Sequence, residues 1–308
     1  MEAPAPGSIL IYDQIARNKR ETWLLMIGFV LIITGLVGGV TYVLDGPLLA
    51  FPVAMAVLTL YAGYSYFAAS SVVLSITGAR EVSKEEEWEY VRRVENLCIG
   101  AGLPMPRTWV LEDSAPNAFA TGRDPEHAHV VVTRGLLEKL EPAELEAVLA
   151  HELSHIANYD IRVMTIAAVL VGVVALVADL LLRYTAWGAG RRRRYRDKGG
   201  GVATVPIVLV ILVAAILAPL VAQMLKFAVS RRREYLADAS GALLCRNPYA
   251  LADALEKIAR DPEPLEAANK ATAHLFIYNP LREHSSWLNR LFDTHPPIEE
   301  RVRILRSM

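Results

Sequence analysis

The chain is poor in cysteine and carries almost no net charge. Cys98 and Cys245 are its two cysteines, and their spacing fits neither a disulfide framework nor a Cys-x-x-Cys metal site. A formal net charge of -1 gives no sign of the basic surface that nucleic-acid binding requires. The sequence also lacks an internal repeat and a G-x-x-x-x-G-K-[ST] nucleotide loop. We therefore expect two free thiols, and neither a nucleic acid nor a nucleotide as a partner.

Apolar residues, in contrast, are abundant. Hydrophobic residues make up 53% of the chain and charged residues 21%, which is too apolar for an ordinary soluble domain and too charged for membrane spans alone. Four apolar stretches reach the length of about twenty residues that a membrane helix needs. They are residues 23–44, 48–76, 163–182 and 203–227. Because a polar segment precedes the first stretch, we expect a retained anchor and not a cleaved signal peptide.

These stretches divide the chain into five segments. We predict a polar N-terminal segment (1–22), a transmembrane helical hairpin (23–76), a first soluble part (77–160), a second apolar hairpin with a basic loop (161–228) and a second soluble part (229–308). The soluble parts show helical periodicity, and TWVLED and HAHVVVT have the β-branched and aromatic composition of strands. The predicted fold is a membrane protein with four apolar helices, mainly α-helical with a small β-sheet.

The pattern H-E-L-S-H lies on a predicted helix at His151, Glu152 and His155. Residues four apart on a helix lie on the same face, about 6 Å from each other along the axis. Two imidazoles so placed can bind one Zn²⁺, and Glu152 can take a proton from water beside the metal. The alternative interpretation is two surface histidines beside an ordinary helix glutamate.

A catalytic zinc site usually has three protein ligands, so the pattern requires one more. Glu234, in the stretch RRREYLADAS, is the best candidate. Asp238 lies one helical turn further on and could accept a hydrogen bond from a ligand imidazole, which fixes its tautomer. The E-x-x-x-D pattern is common on helices, so its weight depends on H-E-x-x-H.

Several stretches together resemble the HtpX-like membrane zinc metalloproteases, which are related to the CAAX prenyl proteases. The matching stretches are YDQIARNKR, PNAFATG, HELSH, EYLAD, ATAHLFIYNPL and THPP. The resemblance implies a zincin-type α+β catalytic module with one Zn²⁺ per chain. It also implies that His151, His155 and Glu234 bind this zinc and that Glu152 is the general base. The family does not lead us to expect the four arginines at 191–194.

Two further motifs bear on substrate binding. Asn117, Ala118 and Phe119 begin NAFATG, which is similar to the family's edge strand for the substrate peptide, where backbone hydrogen bonds give affinity. Alternatively, Phe119 fills the core beneath the sheet. His295, in DTHPP, is a candidate donor to the oxyanion, with Arg301 as a second site residue. Alternatively, THPP only starts the helix IEERVRIL.

The positions of these motifs predict where the enzyme acts. Glu152 precedes the third apolar stretch by about ten residues, or roughly 15 Å if the helix continues, so the metal would lie close to the bilayer surface. Ten Lys and Arg residues flank the membrane on the catalytic side, against seven in the loop opposite, which favours a cytoplasmic catalytic side. A shallow second hairpin that never crosses is an alternative.

The resulting prediction is a multi-pass zinc endopeptidase of the cell membrane. Its partners are the lipid bilayer and polypeptide substrates, namely membrane or misfolded proteins in quality control. A membrane metal transporter is a weaker hypothesis, because a transporter places His, Asp and Glu inside its spans. A non-catalytic zinc-binding scaffold is disfavoured, because it gives Glu152 no reason to lie beside the metal.

Overall fold

Two long helices begin the chain in the computed structural model. The structure describes residues 11–43, 49–172, 174, 230–267, 272–278 and 296–308. Helix α1, Ile11–Val43, packs along helix α2, Ala50–Thr77. Helix α2 ends at Gly78, whose left-handed φ of 73° a glycine adopts without steric cost. Over the described residues, the first two predicted apolar stretches are therefore helices that pack against each other.

The membrane prediction is supported in part. Within the described residues, one helical segment, Met55–Thr77, is long and apolar enough to cross a membrane. The fourth apolar stretch, most of the third and the basic loop between them lie outside the described residues. Four membrane helices therefore remain a prediction.

A four-stranded mixed sheet forms the centre of the soluble module, in the order β1-β2-β4-β3. Its strands are β1, Arg80–Glu81; β2, Arg107–Leu111; β3, Ala118–Gly122; and β4, Ala128–Thr133. Strand β2 runs parallel to β4, and the two outer pairs are antiparallel. The stretches TWVLED and HAHVVVT thus form strands as predicted, and NAFATG supplies the edge strand β3.

Helices surround this sheet, so the prediction of a mainly helical chain with a small sheet is confirmed. They are α3, Trp88–Ala101; α4, Arg134–Lys139; α5, Pro142–Ala157; α6, residues 160–172; α7, Arg231–Cys245; α8, Pro248–Arg260; and α9, Ile298–Leu305. Helix α5 carries H-E-L-S-H. It begins at Pro142, where a capping box between Glu141 and Glu144 satisfies free backbone N–H groups.

The helix that carries H-E-L-S-H does not continue into the third apolar stretch. Helix α5 ends at Ala157, and Tyr159 adopts a left-handed φ of 60° before α6 begins at Asp160. This conformation is uncommon for a residue other than glycine. The chain changes direction here, so Asp160 is brought back beside His155 of the preceding helix.

The hydrophobic core lies on both faces of the sheet. On one face Val130 and Val132 pack with Leu149 of α5 and with residues of α3, α8 and α9. On the other face Val131 packs with Phe119, α6 and the C-terminal part of α2. Because both faces are covered, β4 carries three consecutive valines, residues 130–132, where a half-exposed strand would alternate apolar and polar residues. This packing fixes α5 against the sheet and the hairpin against the soluble module.

Candidate active site

Three predicted ligands meet where α7 packs against α5. His151 and His155 lie one turn apart on α5, and Glu234 lies in the first turn of α7. One ligand atom from each residue lies within 4.8 Å of the others, so the cluster could hold a metal ion. All three residues are buried. The packing of the two helices therefore brings together residues more than seventy positions apart in sequence.

The spacing of the ligand atoms suits a tetrahedral metal. Zinc-nitrogen bonds of about 2.0–2.1 Å place two ligand atoms of a tetrahedron about 3.4 Å apart. The Nε2 atoms of His151 and His155 are 3.2 Å apart. The carboxylate of Glu234 lies 3.9 Å from His151 Nε2 and 3.7 Å from His155 Nε2. Two imidazoles and a carboxylate form a donor set that suits zinc.

Asp238 lies between His151 and Arg301 and contacts both. Its Oδ1 atom is 3.0 Å from His151 Nδ1, and its two oxygens accept hydrogen bonds of 2.7 and 2.8 Å from the Arg301 guanidinium. Burial would raise the pKa of Asp238, but the charge of Arg301 and its contact with His151 lower it. Burial lowers the pKa of His151, against the opposing effect of Asp238. An ionised Asp238 thus faces a neutral imidazole.

Asp160 contacts the Nδ1 atom of His155, as Asp238 contacts that of His151, and the sequence did not predict this residue. Its Oδ2 atom is 3.0 Å from His155 Nδ1. Burial would lower the pKa of His155, but the hydrogen bond with Asp160 and the charge of Glu234 raise it to about 9. The residue follows His155 across the Tyr159 turn, so helical spacing gave no signal. Each imidazole therefore has a carboxylate on the nitrogen that faces away from the cluster.

Glu152 lies beside the ligand cluster, on α5 and 2% exposed. Burial raises its pKa to about 7; His155 lowers this pKa and Glu234 raises it. The nearby backbone of Ala120, in edge strand β3, also lowers this pKa. A carboxyl group with a pKa near neutrality can both accept and release a proton. The packing of α5 against β3 places Glu152 beside the sheet edge.

The predicted substrate residues lie in and next to β3. Phe119 is fully buried against Phe276, with ring centroids 4.9 Å apart, so its side chain fills the core. The backbone of Ala118 accepts a hydrogen bond from Ile277 N, and the Asn117 side chain donates to the carbonyl of Tyr278. Residues 277 and 278 therefore lie along the outer edge of β3. His295 lies outside the described residues.

Gly241 permits the close approach of α7 to α5. A Cβ atom at this position would lie 2.9 Å from the backbone nitrogen of His151 and 3.0 Å from its Cα. Any side chain would push the two helices apart and separate Glu234 from the histidines. A glycine within a helix pattern was a signal that sequence reasoning could have used.

A buried His₂Glu cluster with a glutamate beside it, carried on a helix next to a sheet edge, is typical of metal-dependent hydrolases. The described fold and site therefore define a candidate hydrolase of this class. They also exclude the interpretation of H-E-L-S-H as two surface histidines, since both imidazoles are buried.

Comparison with known proteins identifies the family. The model of Peptidase family M48 matches residues 84–308. A Protease HtpX homolog from Dictyoglomus turgidum is 43% identical over 96% of this chain and 94% of its own length. One from Tropheryma whipplei is 44% identical over 97% of this chain and 99% of its own length. The chain belongs to peptidase family M48, and the resemblance seen in its motifs is confirmed.

A solved structure is also similar to this chain. The crystal structure of Ste24p from S. mikatae aligns with a TM-score of 0.47 at 17% identity. The alignment covers 96% of this chain and 66% of that one. The family match and the HtpX homologues, rather than this partial likeness, make the protein a protease.

Proposed function

We propose that the protein is a membrane-embedded, zinc-dependent endopeptidase. The observation that carries the proposal is the buried convergence of His151, His155 and Glu234 beside Glu152. The first three residues would hold one Zn²⁺ per chain. When bound there, zinc supplies a Lewis acid that polarises the scissile carbonyl and makes water more acidic.

The remaining residues of the site move a proton and hold the ligands in place. Glu152 accepts the proton of the attacking water and delivers it to the leaving amine, a role that its raised pKa suits. Asp238 and Asp160 each lie 3.0 Å from the Nδ1 atom of a ligand imidazole, so their charges favour a proton on Nδ1 and leave the Nε2 atoms for the metal. Arg301 balances the charge of Asp238, and its burial supports this role over contact with substrate.

The edge of β3 is the proposed binding place for the substrate peptide. An extended chain can join a sheet edge through backbone hydrogen bonds. At Asn117 and Ala118 residues 277 and 278 already lie along this edge, so a peptide paired with Ala118 would take the place of Ile277. The packing of α5 against β3 supports this placement, because it puts the proposed base Glu152 beside the edge. The oxyanion role of His295 stays a prediction.

The hairpin supports the proposed placement in the cell membrane. Helices α1 and α2 expose large apolar side chains such as Leu24, Leu31 and Leu60, which are better placed in lipid than in water. A peptidase held at the bilayer would meet membrane proteins and misfolded chains, so we infer a role in their quality control. The cytoplasmic orientation rests on the distribution of Lys and Arg in the sequence.

Replacement of the proposed base tests the function. We expect Glu152→Gln to keep one zinc per chain and to lose at least about a hundredfold in casein cleavage, the lower range for loss of a general base. Glu146→Gln is the control, because Glu146 lies on the same helix with its side chain 42% exposed. Metal content and casein cleavage would be measured on detergent-purified wild type and both variants.

Two other results would contradict the proposal. Zinc in neither the wild type nor Glu152→Gln would overturn the ligand assignment. If both proteins bind zinc and cleave casein equally, Glu152 is not the general base.

A further inference from the structure

The N-terminal motif YDQIARNKR contributes a buried side chain next to the candidate metal site. Asn18 lies on α1 and is 0% exposed. Its Nδ2 atom donates to the carbonyl of Asn158 and to Oδ1 of Asp160, both at 2.7 Å. Its Oδ1 atom accepts a hydrogen bond of 3.1 Å from Arg233 Nη1. One amide group thus uses both its donor and its acceptor in the protein interior.

These contacts connect Asn18 to both helices that carry ligands. Asp160 binds Asn18 through one carboxylate oxygen and lies 3.0 Å from His155 Nδ1 through the other. Arg233 directly precedes Glu234 at the start of α7. Asn158, the third partner, is the C-cap residue that directly follows α5. Asn18 therefore reaches His155 through one intervening residue, Asp160. It reaches Glu234 through Arg233, the residue that precedes Glu234 in the chain.

We propose that Asn18 is a positioning residue of the metal site, which acts through Asp160 on His155 and through Arg233 on the start of α7. This inference rests on the proposed zinc peptidase function. An aspartate at position 18 would place a second negative charge against Asp160, and a leucine would remove both the donors and the acceptor. The carboxamide meets all three partners without adding charge.

The proposal makes the first helix part of the site and not only an anchor. Asn18 lies outside residues 84–308, the range that the M48 family model matches. The hydrogen bond to Asp160 joins residues 142 positions apart. Because a ligand's outer hydrogen bonds fix its orientation, loss of this bond is expected to weaken metal binding.

Zinc affinity of full-length Asn18→Leu tests the proposal. We expect the zinc dissociation constant, measured by chelator competition, to rise roughly tenfold or more. The visible absorption spectrum of the cobalt-substituted protein should shift as the ligand geometry changes. Thr22→Val is the matched control: Thr22 is equally buried on the same helix, and its hydroxyl bonds to the carbonyl of Asn18. We expect that control to retain the wild-type affinity and spectrum.

A double-mutant cycle separates positioning from general destabilisation. If Asn18 acts through Asp160, Asn18→Leu should change zinc affinity much less in an Asp160→Ala background, which lacks the acceptor, than in the wild type. Equal losses in the two backgrounds, or an unchanged dissociation constant and cobalt spectrum, would overturn the proposal. If Asn18→Leu does not fold, Asn18→Ala enters the same cycle. A wild type that binds no zinc would overturn the proposed function instead, so the two failures are distinguishable.

Discussion

At the scale of single residues, the site contains buried charged side chains in contact, and each compensates the charge of its neighbour. Arg301 has no exposed surface, yet its guanidinium contacts Asp238 at 2.7 Å and Glu234 at 3.5 Å. Its charge lowers the pKa of Asp238, so it is the positive charge that keeps this buried carboxylate ionised beside His151. A buried ion pair of this kind contributes little net stability, but removal of one partner leaves the other uncompensated.

Removal of the Arg301 charge should therefore destabilise the protein strongly. We expect Arg301→Met to lower the free energy of unfolding of the metal-free protein by about 3–5 kcal/mol, because Asp238 is left buried without its guanidinium. Urea denaturation in detergent would measure the loss.

Arg306, the C-cap residue of the helix that carries Arg301, provides the comparison. Its side chain is 41% exposed and contacts Asp253 and Glu256 in solvent. Arg306→Met should cost far less, since solvent screens exposed ion pairs. Equal losses of unfolding free energy for the two variants would show that Asp238 does not depend on the buried Arg301 guanidinium.

At the scale of elements, the site depends on how closely two helices approach. The ligands come from α5 and α7, so the distance between these helices sets the distance between the histidines and Glu234. Gly241 fixes that distance, because its missing side chain lets α7 lie against the backbone of His151. A methyl group there meets backbone atoms, which cannot move aside as a side chain can.

Gly241→Ala should consequently weaken both folding and metal binding. We expect a loss of about 1–3 kcal/mol in the free energy of unfolding, the usual cost of overpacking, together with a weaker zinc affinity. Gly100→Ala is the control: its new Cβ would meet only Leu244 Cδ1 at 3.6 Å, an ordinary contact. Since alanine favours a helix over glycine, that variant should gain up to about 1 kcal/mol. Unfolding curves and chelator competition would compare the two, and unchanged values for Gly241→Ala would refute the packing argument.

At the scale of the whole molecule, aromatic and basic side chains form a band around the hairpin. Trp23 of α1 stacks on Tyr66 of α2, and Arg162 lies over the rings of Tyr66 and Tyr159. The Lys19 ammonium lies 4.3 Å from the Tyr159 ring centroid. Aromatic rings beside cations are typical of the boundary between lipid and water. This pattern supports the membrane placement proposed above, with Trp23 near the bilayer surface.

Tryptophan quenching tests this placement. Trp23 on the hairpin and Trp88 on α3 are both 52% exposed, so exposure alone does not distinguish them. In single-tryptophan variants reconstituted with brominated lipids, we expect the fluorescence of Trp23 to be quenched and that of Trp88 to be retained. Equal quenching of Trp23 and Trp88 would show that the lipid does not distinguish the hairpin from α3. No quenching of Trp23 would contradict the placement of the hairpin in the membrane.

The sequence by itself determined the elements and the ligand candidates. The helices with H-E-L-S-H and E-Y-L-A-D and the strands at TWVLED and HAHVVVT follow from local periodicity, which neighbouring residues create. The ligand set followed from spacing within one helix turn, together with the need for a third ligand. His151, His155 and Glu234 are indeed brought together in the structure.

Only the tertiary structure decided what supports those ligands. Asp160 reaches His155 because Tyr159 adopts a left-handed turn, which no helical pattern predicts for tyrosine. Asn18 and Arg301 bond to residues 142 and 63 positions away, and Gly241 matters because of the helix against which it packs. Local sequence patterns cannot predict contacts between residues so far apart in the chain. Contacts between distant residues exist only once the helices and the sheet have packed, so packing completes the site that the motifs begin.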